Sequence, residues 1–295
     1  MNILRIMVCA ALVFSSCGND PLQPGGNAAP PYTQIDFDPV LSADGRLLAY
    51  VHSNINSDFT GLYRFDLLNG FNRQLINEVI SNPDFSNSNS NPEIIFSWDN
   101  RLMKMNSDGQ FLSQILQTGN NKNPKWNLID NKILFENTDC SSGCGIRLTD
   151  SNGAFNNLII QNGKSPEWTN TADEFIYLSP SESGKGDTLF KFNLTSGVKT
   201  FLKFLTIPEH MANQYLNYTV GEVILCSTSE TGYSYIYKLN LNSGNIEKLS
   251  VNQGWSPYYS EVTGKIYYTN RNEGEGRIWI MNIDGSDNRM FDEIY

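Results

Sequence analysis

The sequence predicts an all-β chain, a six-bladed β-propeller of four-stranded antiparallel blades. Three observations carry that expectation. A strand ending in a glycine turn recurs six times, a second apolar strand precedes each turn, and the unit repeats about every 43 residues. Of 295 residues, 40% are hydrophobic and 18% charged, which supports a packed core.

The turn strands read LYRFDLLNG (62–70), LMKMNSDG (102–109), IRLTDSNG (146–153), LFKFNLTSG (189–197), IYKLNLNSG (236–244) and IWIMNIDG (278–285). Their glycines are spaced by 39, 44, 44, 47 and 41 residues. Asn-Gly, Asp-Gly and Ser-Gly tolerate positive φ, so each is read as a two-residue hairpin. The preceding strands are LLAYVHS, EIIFSW, KILFEN, EFIYLS, EVILCS and KIYYTN, and a third strand such as FNRQLI or FLSQIL follows each turn. Ahead of each unit lies a fourth, short segment: PVLS (39–42), PDFS (83–86), PKWN (124–127), PEWT (166–169), QYLN (214–217) and PYYS (257–260). Its third residue is always large and apolar, so Trp126 and Trp168 are expected to pack between blades rather than face a ligand. The residue before it is always small and polar: Asp38, Asn82, Asn123, Ser165, Asn213 or Ser256. Strands of a transmembrane barrel run about 9–11 residues, longer than these.

Pro-x-aromatic-Ser with a following Asp-Gly, best seen from Pro39 to Tyr50, resembles the WD40-like (PD40) repeat of TolB and of prolyl-oligopeptidase propellers. The resemblance spans 32–295 and implies the fold. It implies little about activity: a tether precedes the first strand where TolB has an α/β domain, and no G-x-S-x-G nucleophile elbow occurs. Oligogalacturonate lyases resemble the same repeats, but their metal site uses several histidines and this chain has two, His52 and His210.

Residues 1–16 read as a lipoprotein signal peptide: Met1–Arg5 is a short basic start and Ile6–Phe14 a short apolar core. Ser15-Ser16-Cys17 then resembles a lipobox, with Phe14 where Leu is usual, so Cys17 is the expected lipidation site. Ordinary signal cleavage is the alternative. Residues 17–31 are rich in Pro, Gly and Asn and read as a flexible tether to the outer membrane, on its periplasmic or surface side. Cys140 and Cys144 flank Ser-Ser-Gly; a disulfide is the first reading and free thiols the second. Cys226, inside an apolar strand, reads as a buried thiol.

A net charge of −10 argues against nucleic acid as a partner. No catalytic set, metal cluster or cofactor motif emerges. His52 and His210 read as solvated or hydrogen-bonded histidines. Asp36 and Asp38, at i and i+2, read as one strand face at the channel mouth, capping it or holding a cation. The expected function is a monomeric, non-catalytic binding scaffold of the cell envelope, recognising an envelope protein or another neutral or cationic ligand. The alternative is a glycan lyase or hydrolase with its site at the channel mouth. The expected binding face carries the loops between second and third strands and the connections between units. Acids outnumber bases there. Its candidate binding residues are Phe59, Glu209, His210, Glu230, Tyr233, Trp255, Glu273 and Glu275.

Overall fold

The computed structural model describes residues 34–294 except 56–58, 118, 182–185, 207–209, 230–231 and 273–274, and except the side chains of 142, 210–212 and 272. The expected signal peptide, Cys17 and the expected tether therefore lie outside the described residues, as do Glu209, Glu230 and Glu273 and the side chain of His210.

Among the described residues twenty-four strands form, in sequence order. The first quartet is β1 (Gln34–Leu41), β2 (Leu47–Asn54), β3 (Gly61–Asp66) and β4 (Phe71–Ile76); the second is β5 (Ser81–Phe85), β6 (Glu93–Trp98), β7 (Arg101–Asn106) and β8 (Ser113–Leu116). Next come β9 (Asn121–Trp126), β10 (Lys132–Asn137), β11 (Gly145–Asp150) and β12 (Asn157–Gln161), then β13 (Lys164–Trp168), β14 (Glu174–Pro180), β15 (Asp187–Asn193) and β16 (Lys199–Leu205). The chain ends with β17 (His210–Thr219), β18 (Glu222–Ser229), β19 (Ser234–Asn240) and β20 (Ile246–Lys248), followed by β21 (Gly254–Ser260), β22 (Lys265–Asn272), β23 (Glu275–Asn282) and β24 (Arg289–Met290).

The all-β propeller with four-stranded blades forms, but the expected count of six blades is corrected. Four quartets are separate sheets, whereas β1–β4 and β21–β24 together make one eight-stranded mixed sheet. The join is a parallel pairing of β1 with β23, at Ile35 and Gly276. Glycine allows it: a Cβ on residue 276 would lie 2.4 Å from Ile35 Cγ1. A quartet spacing read from sequence cannot show that two quartets at opposite chain ends share backbone hydrogen bonds.

The first strands β1, β5, β9, β13, β17 and β21 touch in that order and close on β1, forming the channel wall. Apolar residues pack between neighbouring sheets. Ile95, Leu102 and Ile115 of one sheet meet Trp126, Ile133 and Phe135 of the next. Leu48, Tyr50 and Phe65 meet Tyr267, Ile278, Ile280 and Phe291 within the eight-stranded sheet. Trp168 and Trp126 are each 6% exposed and pack as expected, and the Trp168 indole donates 2.9 Å to the Lys125 carbonyl of the adjacent sheet.

The glycines of all six turns have positive φ, between 65° and 81°. The turns themselves are longer than the expected two residues. Asp66 pairs with Phe71 across four residues, and Asn106 with Gln110 across three. A helical turn closed by a left-handed glycine needs that extra length. The Asp or Asn ending the third strand fixes several of these turns: Asp66, Asn106, Asp150, Asn193 and Asn240 each accept a backbone N–H from inside their turn through the side chain.

Two outcomes test this architecture. Gly276→Val should destabilise the protein by about 1–3 kcal/mol in chemical denaturation, and Ile35→Ala should restore much of the loss. Truncation after residue 250 removes half of the eight-stranded sheet and should yield insoluble or molten protein; a soluble, cooperatively unfolding fragment contradicts the closure argument.

Candidate ligand channel

Every first strand is bent at the same point. Asp38, Asn82, Asn123, Ser165 and Ser256, each just before a proline, have φ between 49° and 52°. The ladder shifts register across each of these residues. Proline has no N–H for the ladder, and short polar side chains tolerate the left-handed conformation, so the pair makes a bulge. The fifth strand has Gln214 in place of proline, and there the left-handed residue moves to Tyr215, at φ 53°.

The bulge aims each polar residue sideways at the neighbouring sheet. Asp38 accepts the backbone N–H of Asn82 at 2.8 Å and the hydroxyl of Ser256 in a very short bond. Asn82 Oδ1 accepts the Asn123 N–H at 3.3 Å. Glu136 accepts from Asn123 Nδ2 at 3.1 Å and from the Ser165 N–H at 2.6 Å. Asp187 pairs with Lys164 at 2.9 Å and accepts the Asn213 N–H at 3.0 Å. A belt of hydrogen bonds thus runs around the wall. It is open at one link: Asn213 Oδ1, in a residue 1% exposed, has no partner among the described residues. That link lies in the one strand without the proline.

The fourth residue of several short segments closes the following turn instead, whereas Asn217 reaches the next sheet, donating to the Pro257 carbonyl at 2.6 Å and accepting the Tyr259 N–H at 3.1 Å. Ser42 and Ser86 accept the N–H of Leu47 and Glu93 through their hydroxyls, both at 2.9 Å. Asn127 accepts the Ile129 N–H at 2.7 Å.

Directly after the proline position, the first strands carry Val40, Asp84, Lys125, Glu167, Tyr215 and Tyr258. Lys125 and Glu167 form a 2.9 Å ion pair, with side chains 17% and 19% exposed. Asp84 is 9% exposed and accepts the Trp126 N–H at 2.6 Å. Burial pushes the Asp84 carboxyl up to about 7; Lys125 opposes that rise and Glu167 adds to it. Burial also raises the carboxyls of Glu167 and Asp38. Burial works to lower the Lys125 ammonium, but Glu167 and Asp84 outweigh it and raise it. The Tyr258 phenol is raised by burial and then by Asp84 and Glu167, so these groups sense one another across the channel. The level holds two carboxyl groups against one ammonium. Sequence reasoning passed over Asp84, Lys125 and Glu167. Their signal was available: charged residues directly after the repeat proline and directly before the large apolar residue.

The expected site residues fare unevenly. Phe59 and Tyr233 are 63% and 42% exposed, consistent with surface anchors. Trp255 is corrected: it is 6% exposed, packed in the largest core cluster, with the Arg271 guanidinium 4.1 Å above its ring. Its place beside the bulge at Ser256 buries it, which a loop assignment could not foresee. Glu275 is occupied by Arg277 at 2.8 Å and Gln34 at 3.2 Å. Asp36 and Asp38 do not act as one strand face, because the bulge separates them. Asp36, 1% exposed, meets His52 Nδ1 at 2.6 Å and Arg277 at 3.5 Å, while Asp38 joins the belt. Cys140 and Cys144 are joined as a disulfide across a 3-10 turn, with Cα atoms 4.2 Å apart. Cys226 is buried.

No protein-family model and no curated protein matches the chain. Solved structures do. TolB from Acinetobacter baumannii matches with a TM-score of 0.63 at 14% identity, over 96% of this chain and 69% of its own. A protein assigned as TolB from Agrobacterium tumefaciens matches with a TM-score of 0.63 at 16% identity, over 77% of this chain and 86% of its own. An oligogalacturonate lyase from Vibrio parahaemolyticus matches with a TM-score of 0.53 at 15% identity, over 88% and 79%. At these identities the likeness is one of fold, that of a TolB-like β-propeller.

The channel charges set a pH dependence. Asp84 is raised from 3.8 in the unfolded chain to about 7 in the fold, so the proton favours the folded state. Its contribution is full below about pH 4 and is lost as pH rises through about 7. Asp66, lowered to about 2 chiefly by its Arg46 hydrogen bond, acts only below that window. Chemical denaturation should therefore show stability falling between about pH 5 and about pH 8, and Asp84→Asn should flatten the fall. Non-reducing peptide mapping of the protein should recover Cys140 and Cys144 in one linked peptide. Because their loop is short, Cys140→Ser should lower stability only slightly.

Proposed function

We propose that this chain is a non-catalytic binding scaffold of the bacterial cell envelope, tethered to the outer membrane through lipid on Cys17, whose channel receives a neutral or cationic group of an envelope partner. The observation that carries the reading is the charge of the channel lining: Asp84 and Glu167 against Lys125. A buried excess of carboxylate is costly while empty and is relieved by a cation brought close to it. The exposed rings of Phe59 and Tyr233 on the loops supply apolar contact outside the channel. The TolB-like fold supports a scaffold role, and the lipobox-like start of the sequence supports the envelope placement.

One observation favours a second reading, a glycan-active lyase or hydrolase. A carboxyl titrating at about 7 beside an ammonium and a phenol suits acid–base exchange.

Affinity capture from solubilised envelope separates the two. Wild type should enrich a partner, and Asp84→Asn with Glu167→Gln should reduce that recovery by about tenfold or more. A control changing the exposed Asp284 to Asn should leave it intact. Equal recovery by all three proteins rejects the channel. Release of unsaturated products from polygalacturonate by wild type, abolished in Asp84→Asn, replaces the binding reading with the enzymatic one.

A further inference from the structure

We propose that the channel takes a primary ammonium group in exchange for a proton, so that the partner's cation and a hydrogen ion compete for Asp84. This rests on the reading of the channel as a cation site, and it names the class of cation and the condition under which it binds.

Three first strands in succession, β5, β9 and β13, each carry an ionisable group after the proline position: Asp84, Lys125 and Glu167. Lys125 and Glu167 neutralise each other at 2.9 Å. Asp84 is left over. It is 9% exposed, accepts the Trp126 N–H at 2.6 Å and makes no ion pair among the described residues. Glu167 and Tyr258 both interact with it electrostatically, and they stand on β13 and β21, two first strands away on either side. The carboxyl therefore points toward the axis.

The strands packed on β5 offer Asp84 no other counter-charge. From β1 come Asp38, which accepts the Asn82 N–H and the Ser256 hydroxyl, and Asp36, which is paired with His52 of β2 and Arg277. From β6 comes Glu93, paired with Lys104 at 3.1 Å. Besides Lys125, β9 brings Lys122, three residues nearer the other end of the strand. A lone carboxylate in a low-dielectric site is costly, and it takes up a proton instead. Burial accordingly pushes the Asp84 carboxyl up to about 7. Below that pH the empty level is neutral; above it one negative charge is uncompensated.

A primary ammonium supplies the missing charge, as Lys125 supplies it to Glu167. It donates three N–H bonds. The Asp84 carboxylate accepts one, and the Tyr258 phenol oxygen is free to accept another because its own hydrogen goes to the Leu41 carbonyl at 3.1 Å. Binding ionises Asp84, and its proton leaves to solvent. Affinity is therefore level above about pH 7 and falls about tenfold per pH unit below it.

The test uses the full chain, isotope-labelled at its aspartate carboxyl carbons, with the Asp84 signal assigned by its loss in Asp84→Asn. Methylammonium is the probe. Tetramethylammonium, which carries the charge without a donor, is the control. In wild type the Asp84 signal should titrate near pH 7, and methylammonium should lower that midpoint by about one unit or more. Tetramethylammonium at the same concentration should leave it in place. Glu167→Gln frees Lys125 to pair with Asp84, so the midpoint should fall without a ligand and methylammonium should no longer move it. Equal shifts by the two ions overturn the proposal, as does an Asp84 that titrates like an exposed aspartate. Methylammonium that perturbs the Tyr258 signals but not the Asp84 midpoint overturns the exchange and leaves the channel a cation site. No binding of methylammonium, with equal recovery of the envelope partner by wild type and channel variants, overturns both.

Discussion

The fold turns on one kind of hydrogen bond repeated around a circle: the N–H of a first-strand residue at the small polar position, accepted by a polar side chain of the sheet before it. Asp38, Glu136 and Asp187 are the strongest acceptors, each buried and each serving a neighbouring sheet. Between-sheet apolar packing is non-directional and holds many rotations of one sheet against the next about equally well. A charged acceptor aimed at a single N–H fixes the angle, and losing either partner leaves a buried polar group unsatisfied. The bulge, the proline and the small polar residue before it are parts of that one device.

Because the device consumes the residues before the prolines, the residues after them are left to face the axis. Five of those six positions are charged or phenolic, and four of them, Asp84, Lys125, Glu167 and Tyr258, interact with one another, while Val40 is inert. The architecture and the candidate site are in this sense one object, since the strands that build the wall also set the chemistry inside it. Asn213 illustrates the coupling. Where Gln214 replaces proline, the left-handed residue shifts to Tyr215 and the belt loses a link.

The repeat was legible because hairpin turns and alternating strands are local, and all six turn glycines do adopt positive φ. The polar residue before each proline was also visible as a pattern, though not its purpose, since its partner lies about 40 residues away, as for Asn82 and Asp38. The count of separate sheets was not legible: Ile35 and Gly276 meet from opposite ends of the chain. Trp255 read as a surface anchor because it stands next to a connection between units, and the bulge turned it inward. The mouth acids were read as free charge, yet Asp187 and Glu275 are held by Lys164 and Arg277. A sequence displays charges but not which of them are already neutralised by neighbours.

The pairing of Ile35 with Gly276 has a kinetic side. Almost every other strand finds its partners within its own quartet, through loops of a few residues that close quickly. β1 alone takes a backbone neighbour across 241 positions of chain, as Arg277 and Asp36 do beside it. Closing that seam carries a loop-entropy cost that no pairing within a quartet meets, and it raises the contact order of the whole fold.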